Sequence, residues 1–241
     1  MKRKFGLVTS VLVCSVFSTT AALAAGPRDG LYLMTRYFSG LELDAYYFKA
    51  GQVVRSPIGN IATLDFAAAR RDKPAFVGQV DMNGNKMRVR WGDNRLTESV
   101  LEVKAGDPCF AWDGGTFCPV TGFKGGEHLN GSFEGGLRSS SSVGAASNLR
   151  TVSFTSAGTY RMDATGEVHS QADPTRREED LSGFSEGQES GSYTLSGTDL
   201  TLQPAGRAPY HVLIFPYNVD DNSKEKPDHI YFGGTMLQRL R

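Results

Sequence analysis

Cys109 and Cys118 are the residues whose type and spacing imply the most definite chemistry. They flank Phe110-Ala-Trp-Asp-Gly-Gly-Thr-Phe117, and Asp113-Gly114-Gly115 at its centre is a tight-turn signal. A turn there sets the two thiols opposite each other. The spacing therefore predicts a disulfide closing a loop of about ten residues, which stabilises by roughly 2–3 kcal/mol in chain-entropy terms. Zinc would need a histidine or a second cysteine pair nearby, and redox catalysis a closer pair. Neither is present, so no metal and no cofactor are expected.

Acid–base candidates are dispersed. His128, His169, His211 and His229 stand far apart, without the short spacings of common metal motifs. His211 opens the apolar run Val212-Leu-Ile-Phe215 and is the histidine placed to face a cavity. Ser182 and Ser185 lie in a polar stretch where solvated side chains are the default. Glu178-Glu179-Asp180 beside Arg176-Arg177 reads as a solvated charge run. Asp220-Asp221-Asn222-Ser223 offers oxygens without the ligand spacing of a calcium loop. No residue is assigned to catalysis.

Aromatic residues carry more signal. Tyr46, Phe48, Trp91, Trp112, Phe117 and Phe123 concentrate in the first half of the chain. In Arg88-Val89-Arg90-Trp91, strand alternation puts Arg88 and Arg90 on one face and Val89 with Trp91 on the other. On a concave face, such arginines could hold an anionic head group while aromatics hold an apolar tail. Trp112 is either an exposed anchor for a partner or a lid on the core, and the lid is favoured. The candidate binding residues are thus Tyr46, Phe48, Arg88, Arg90, Trp91, Trp112 and His211.

The elements that must position these residues are strands. Residues 78–89 and 191–202 both follow G-x-Φ-x-Φ-x-G-x-x-Φ-x-Φ, where Φ is apolar or aromatic. Alternation on either side of a central glycine, Gly84 or Gly197, is the mark of a β-hairpin with one buried face. Upstream, Ala45-Tyr-Tyr-Phe-Lys-Ala-Gly-Gln-Val53 matches Val152-Ser-Phe-Thr-Ser-Ala-Gly-Thr-Tyr160, and Asp29-Gly-Leu-Tyr32 matches Asn130-Gly-Ser-Phe133. Three matches in one order predict two related halves. The expected fold is mainly β, an antiparallel meander or barrel with little helix. Its parts are 25–107, a disulfide-stapled connector over 108–128, and 129–241. Thr63 to Arg71 is the best helix candidate. The Ser/Gly-rich run 138–147 and the polar run 173–190 read as exposed loops. Val212–Phe215 and Ile230–Phe232 read as a final strand pair, the first buried on both faces.

Lys2-Arg3-Lys4, an apolar run from Phe5 to Phe17, and Ala22-Leu23-Ala24 form the layout of a secretory signal cleaved after Ala24. Cys14 would be discarded with it. A secreted or periplasmic chain without a transmembrane anchor is expected. The chain has 26 basic and 26 acidic residues, and loss of residues 1–24 removes three basic ones, leaving a net charge of −3. That balance argues against nucleic-acid binding through bulk charge.

Gly191-Ser-Tyr-Thr-Leu-Ser-Gly-Thr-Asp-Leu-Thr-Leu202, with the Gly-x-Tyr opening of Gly30-Leu-Tyr32, resembles the small lipocalin-like (calycin-type) β-barrel domains of exported bacterial proteins. The resemblance implies a cupped interior for a small apolar ligand and no catalysis. The functional expectation is an exported, non-enzymatic binding protein holding a small amphipathic ligand or an extracytoplasmic protein partner on a β-cup. The alternatives are a secreted inhibitor or interaction module using the Cys109–Cys118 loop, and a barrel enzyme of isomerase or cyclase type without a linear motif.

Overall fold

The computed structural model describes residues 26–38, 40–124, 126–141, 144–170, 187–217 and 227–241, with the side chains of all but 137–141, 144–148 and 165–170. Residues 1–25, on which the expected signal and Cys14 fall, residues 173–186 and residues 220–226 lie outside the described residues.

The chain alternates short strands with tight turns. The first unit contains β1 (Gly30–Tyr37), β2 (Leu41–Lys49), β3 (Gln52–Arg55), α1 (Phe66–Asp72), β4 (Val77–Asn83) and β5 (Lys86–Trp91). It continues with β6 (Leu96–Val100), β7 (Glu102–Val103), β8 (Phe110–Trp112) and β9 (Gly115–Pro119). These strands form one antiparallel sheet in the order β6-β5-β4-β3-β2-β1-β9-β8-β7. Only Leu101 separates β6 from β7. Its side chain is buried, and its N–H donates to Asn85 O at 2.8 Å. The two end segments are therefore pieces of one bent strand, and the sheet comes full circle.

The second unit contains β10 (Gly131–Ser141), β11 (Gly144–Phe154), β12 (Thr159–Ser170) and β13 (Gly187–Ser196), then β14 (Asp199–Pro204), β15 (Tyr210–Tyr217), β16 (His229–Phe232) and β17 (Thr235–Arg239). It is a closed barrel in which β10 pairs with β17. Both units are thus meanders whose first strand pairs with the last.

The three sequence matches fall on strands of the same rank. The β4–β5 hairpin corresponds to β13–β14, β2–β3 to β11–β12, and β1 to β10. Gly84 and Gly197 occupy the same turn position with φ of 62° and 60°, a region open to glycine and costly for most residues. Val80 N–H donates to Gly51 O at 2.8 Å, and Tyr193 N–H donates to Gly158 O at 2.8 Å. Ladder register sharpens the match. Gly30 faces Phe48 and Gly131 faces Phe154, so Phe48 corresponds to Phe154, and the turn before Gly158 carries one more residue.

Alternation explains where each core lies. Tyr32, Met34, Tyr46, Phe48, Val53, Met87, Val89 and Trp91 point into the first unit. Phe133, Val152, Phe154, Tyr193, Leu200, Leu202, Ile214 and Phe232 point into the second. Leu31, Leu33 and Ala45 are apolar on the outer face of the first unit, where they pack against Leu213, Phe215 and Tyr231 of the second. That contact is why β15 is buried from Val212 to Phe215 on both faces, as its unbroken apolar run predicts.

Two expectations change. The stapled hairpin is not a connector: β9 pairs with β1 through Tyr32–Pro119 to Thr35–Thr116, so it completes the first sheet. The link between the units is residues 120–130, pinned where Phe123 N–H donates to Gly197 O at 2.9 Å. Residues 138–141 and 144–147 are ladder rather than loop, with Ser139 paired to Ala146 and Ala146 to Val168, and residues 187–190 of the expected loop 173–190 are likewise strand, opening β13 against β12. Serine and glycine erase the alternation that marks a strand, but their backbone groups continue the hairpin register without it. Helix α1 falls within one residue of its predicted end, capped by Asp65, whose side chain accepts from Ala67 N and Ala68 N.

Candidate functional site

Tyr46, Phe48, Trp91 and Trp112 are brought together, inside the first unit. All four are buried, and the space among them is filled by their own rings and by Phe110 and Phe117. Tyr46 meets Phe117 edge-on at 5.0 Å, and Phe110 stacks on Phe117 at 4.9 Å. Trp112 folds inward as a lid and donates from Nε1 to Met87 O at 3.1 Å. Trp91 Nε1 donates to Thr97 Oγ1 at 2.9 Å. These residues form packed core rather than the wall of an open cup.

Arg88 and Arg90 share one face, as strand alternation requires, and that face is the outer one. Arg88 pairs with Glu98, with Nη2 to Oε2 at 2.6 Å, and Arg90 is exposed beside Leu96. Cys109 and Cys118 are disulfide-bonded across β8 and β9, with Cα atoms 4.3 Å apart.

His211 stands on the outside of the second unit, half exposed. Its Nδ1 lies 3.0 Å from Asp199 Oδ1 and 3.2 Å from Thr201 Oγ1. Asn60, from the first unit, donates from Nδ2 to Asp199 Oδ2 at 3.2 Å. The group latches the two units together. A Gly-x-Ser-x-Gly pentad spans Gly183 to Gly187, but Ser185 lies outside the described residues, and Gly187 opens a strand where a nucleophile elbow leads into a helix. Among the described residues, no group of three or more His, Cys, Asp or Glu is placed to hold a metal ion.

Sequence reasoning missed a polar layer inside each unit. In the first, Arg36 donates from Nη2 to Glu42 Oε2 at 2.7 Å, and Arg55 bridges Glu42 to Asp44, with Nε 2.6 Å from Asp44 Oδ2. Ser56 Oγ donates to Asp44 Oδ1 at 2.5 Å. Burial above the core pushes the Tyr46 phenol up to about 12, with the nearby Arg55 charge opposing the rise.

In the second layer, Tyr160 and Tyr210 each donate a phenol hydrogen to Glu189 Oε1 at 2.6 Å. Burial first, and the bond to the carboxylate second, hold both phenols protonated well above the usual tyrosine range. Arg150, buried with its guanidinium 5.8 Å from the Phe232 ring centroid, is shifted down by desolvation. The available signal was Glu42 and Asp44 at inward positions of β2, a break in the apolar alternation.

A cavity of about 280 Å³ lies between the units. Leu33 and Val120 form its wall on the first unit, Phe215 and Tyr217 its wall on the second, and Phe123 its floor. Lys124 and Glu127 supply its charges, and Cys118 carries the disulfide into its edge. The cavity is held in shape by ladder and link: Val120 N–H donates to Leu31 O at 2.9 Å, and Phe123 is tied to Gly197. A dry apolar cavity of about 150 Å³ accepts benzene, so this one has room for roughly two fused rings or a short alkyl chain. No linear motif marks it, because it is built from outer faces of two units and the link between them. Comparison of the chain with protein-family models, with curated proteins and with solved structures returns no match in any of the three.

Proposed function

We propose that the protein is an exported, non-enzymatic binding protein that holds a small amphipathic ligand in the cleft between its two β-units. The observation that carries this is the placement of open apolar volume. Buried side chains of the described residues pack into a cluster inside each unit, and the cleft between the units keeps apolar walls with Lys124 and Glu127 among its lining residues. The ligand that fits has an apolar body of two rings or a short chain and one polar end. Export is supported by the composition of residues 1–24 and by the Cys109–Cys118 pair, a bond that persists outside reducing compartments.

Anilinonaphthalenesulfonate, a two-ring apolar body with one anionic group, tests the reading. It is expected to bind with micromolar affinity, gain fluorescence and raise the melting temperature. Val120→Phe and Thr121→Trp, which fill the cleft, should each abolish the gain while the fold is kept. A probe that fails to bind, or that binds both filled variants as well as the parent, refutes the reading.

The disulfide-loop reading draws less support. Phe110, Trp112 and Phe117 all point inward, leaving the loop to present Asp113, Thr116 and Pro119.

A further inference from the structure

Lys124 and Glu127, the two charged residues on the lining of the inter-unit cleft, stand on one turn of the link between the units. Glu127 N–H donates to Lys124 O at 3.3 Å, closing a four-residue turn that keeps their Cα atoms within about 7 Å. The turn is anchored to the second unit on both sides. Before it, buried Phe123 donates its N–H to Gly197 O at 2.9 Å. After it, buried Leu129 accepts from the Tyr193 hydroxyl at 2.9 Å. A cation and an anion are therefore presented to the cleft from a fixed base.

Opposite charges three residues apart can neutralise each other directly. Here they do not: among the described residues, neither Lys124 nor Glu127 forms an ion pair or a side-chain hydrogen bond. Beside them the walls are apolar, with Leu33 and Val120 on one side and Phe215 on the other. A ligand that covers both charges and pairs neither leaves two uncompensated ions, and one that carries a single charge leaves one. A ligand with an amine and a carboxylate satisfies both, its carboxylate on Lys124 and its ammonium on Glu127. Its body must be apolar and small. About 280 Å³ takes one phenyl ring with the few further atoms of an amino-acid backbone, against about 150 Å³ for a cavity that accepts benzene alone.

We infer that the cleft selects a small zwitterion with an apolar body, the chemistry shared by free apolar amino acids and apolar dipeptides. This selectivity rests on the cleft being the binding site, and adds that the polar end of the ligand must carry both signs of charge.

Isothermal titration calorimetry on the protein compares L-phenylalanine with hydrocinnamate, which lacks the amine, and with phenethylamine, which lacks the carboxylate. The amino acid should bind about tenfold or more tighter than either, since each analogue loses one charge-assisted contact. L-Alanyl-L-phenylalanine carries the same ring with its charges farther apart, and its N-acetyl form is the amine-free control. Tighter binding of the dipeptide assigns the site to peptide ends, and tighter binding of the free amino acid assigns it to amino acids. Lys124→Met should weaken the zwitterion about tenfold and leave phenethylamine unchanged. Glu127→Gln should weaken it about equally and leave hydrocinnamate unchanged. Lys124 is exposed and Glu127 half-buried, so both variants should keep the parent melting temperature.

Zwitterions no tighter than their single-charge analogues, for amino acid and dipeptide alike, overturn the inference, as does zwitterion binding that both substitutions leave intact. Zwitterion binding that survives Val120→Phe and Thr121→Trp lies outside the cleft and overturns it too. Anilinonaphthalenesulfonate bound in the cleft without any preference for zwitterions leaves the ligand reading standing and removes this selectivity. A cleft that binds neither class of probe removes both.

Discussion

The two β-units share strand rank, turn geometry and ladder register, yet they differ where they meet their surroundings. On the outer face of the first unit, Leu31, Leu33, Ala45 and Tyr47 pack against the second. Register equates these positions with Ser132, Glu134, Thr151 and Ser153 in the second unit. There, Ser132 and Ser153 share a hydrogen bond at 2.7 Å, and Thr151 donates to Glu134 at 3.3 Å. An apolar face on one copy and a polar face on the other let the units pair once and then stop, as a polar terminal repeat caps an array.

The interiors diverge as well. Asp44 of the first unit corresponds to Arg150 of the second, so the same inward position carries opposite charges. Arg55, which neutralises Asp44, corresponds to Met162. The shared frame is therefore set by turns and apolar rungs, while charge at one inward rung and polarity on one outer face are free to differ.

The comparison can be broken most forcefully by testing whether the cores are separate. Phe133 is wholly buried in the second unit, and Phe133→Ala is expected to cost about 3–5 kcal/mol there. Hydrogen exchange should show lost protection in β10 to β17 and retained protection in β1 to β9. Equal loss in both would mean that the interface fuses them into one cooperative unit.

Reduction of Cys109–Cys118 should act in the opposite sense. It should lower the stability of the first unit by roughly 2–3 kcal/mol and leave the second unchanged. Chemical denaturation followed by unit-specific exchange reads the difference.

Alkali should separate the units by their buried phenols. Tyr46 titrates near 12 in the fold against about 10 for a free phenol, so its contribution is complete below pH 10 and is lost as pH rises through 12. Burial leads the upward shift of Tyr160, Tyr193, Tyr210 and Tyr231 in the second unit, against Tyr32 and Tyr46 in the first. The second unit should therefore unfold first as pH climbs above 10, seen as a step in tyrosinate absorbance coinciding with loss of β11 to β15 protection. First-unit unfolding ahead of it would refute the assignment.

Arg55→Met makes the first unit resemble the second at that rung but leaves Asp44 buried with Ser56 as its remaining partner. The expected loss is about 2 kcal/mol, reduced from the fully buried case because Arg55 is partly in water, and Asp44→Leu in the same chain should recover most of it. A single variant as stable as the parent would show that the ion pair is replaceable.

The smallest stability effect is expected from Ser132→Leu with Glu134→Leu, within about 0.5 kcal/mol for a surface change. Its readout is association: copying the Leu31 and Leu33 face should create a new sticky surface on the second unit. A variant pair no more associated than the parent would mean that polarity on that face is not what ends the pairing.

Much of the fold is legible because its signals are local. Gly84 and Gly197 between alternating runs, the apolar run Val212–Phe215, and Asp65 before α1 each act over a few residues. Even the misplaced connector was correct in its local part, since the Cys109–Cys118 hairpin forms as its turn predicts. Its membership of the first sheet depends on β9 meeting β1, more than eighty residues away in the chain.

The site was far less legible. Alternation marks Arg88 and Arg90 as sharing a face, and Trp91 and Tyr46 as lying on strand faces that bury side chains. It cannot say whether a face is inside, outside or against another unit. By itself the sequence determined strands, turns, the repeat and the disulfide, because hydrogen-bond geometry and period-two alternation are properties of neighbouring residues. Tertiary structure alone decided that Tyr46, Trp91 and Trp112 point into a core, that Asp44 and Arg150 occupy equivalent inward positions, and that an apolar cleft opens between the units. Those outcomes depend on which faces meet, and packing between distant surfaces has no period along the chain.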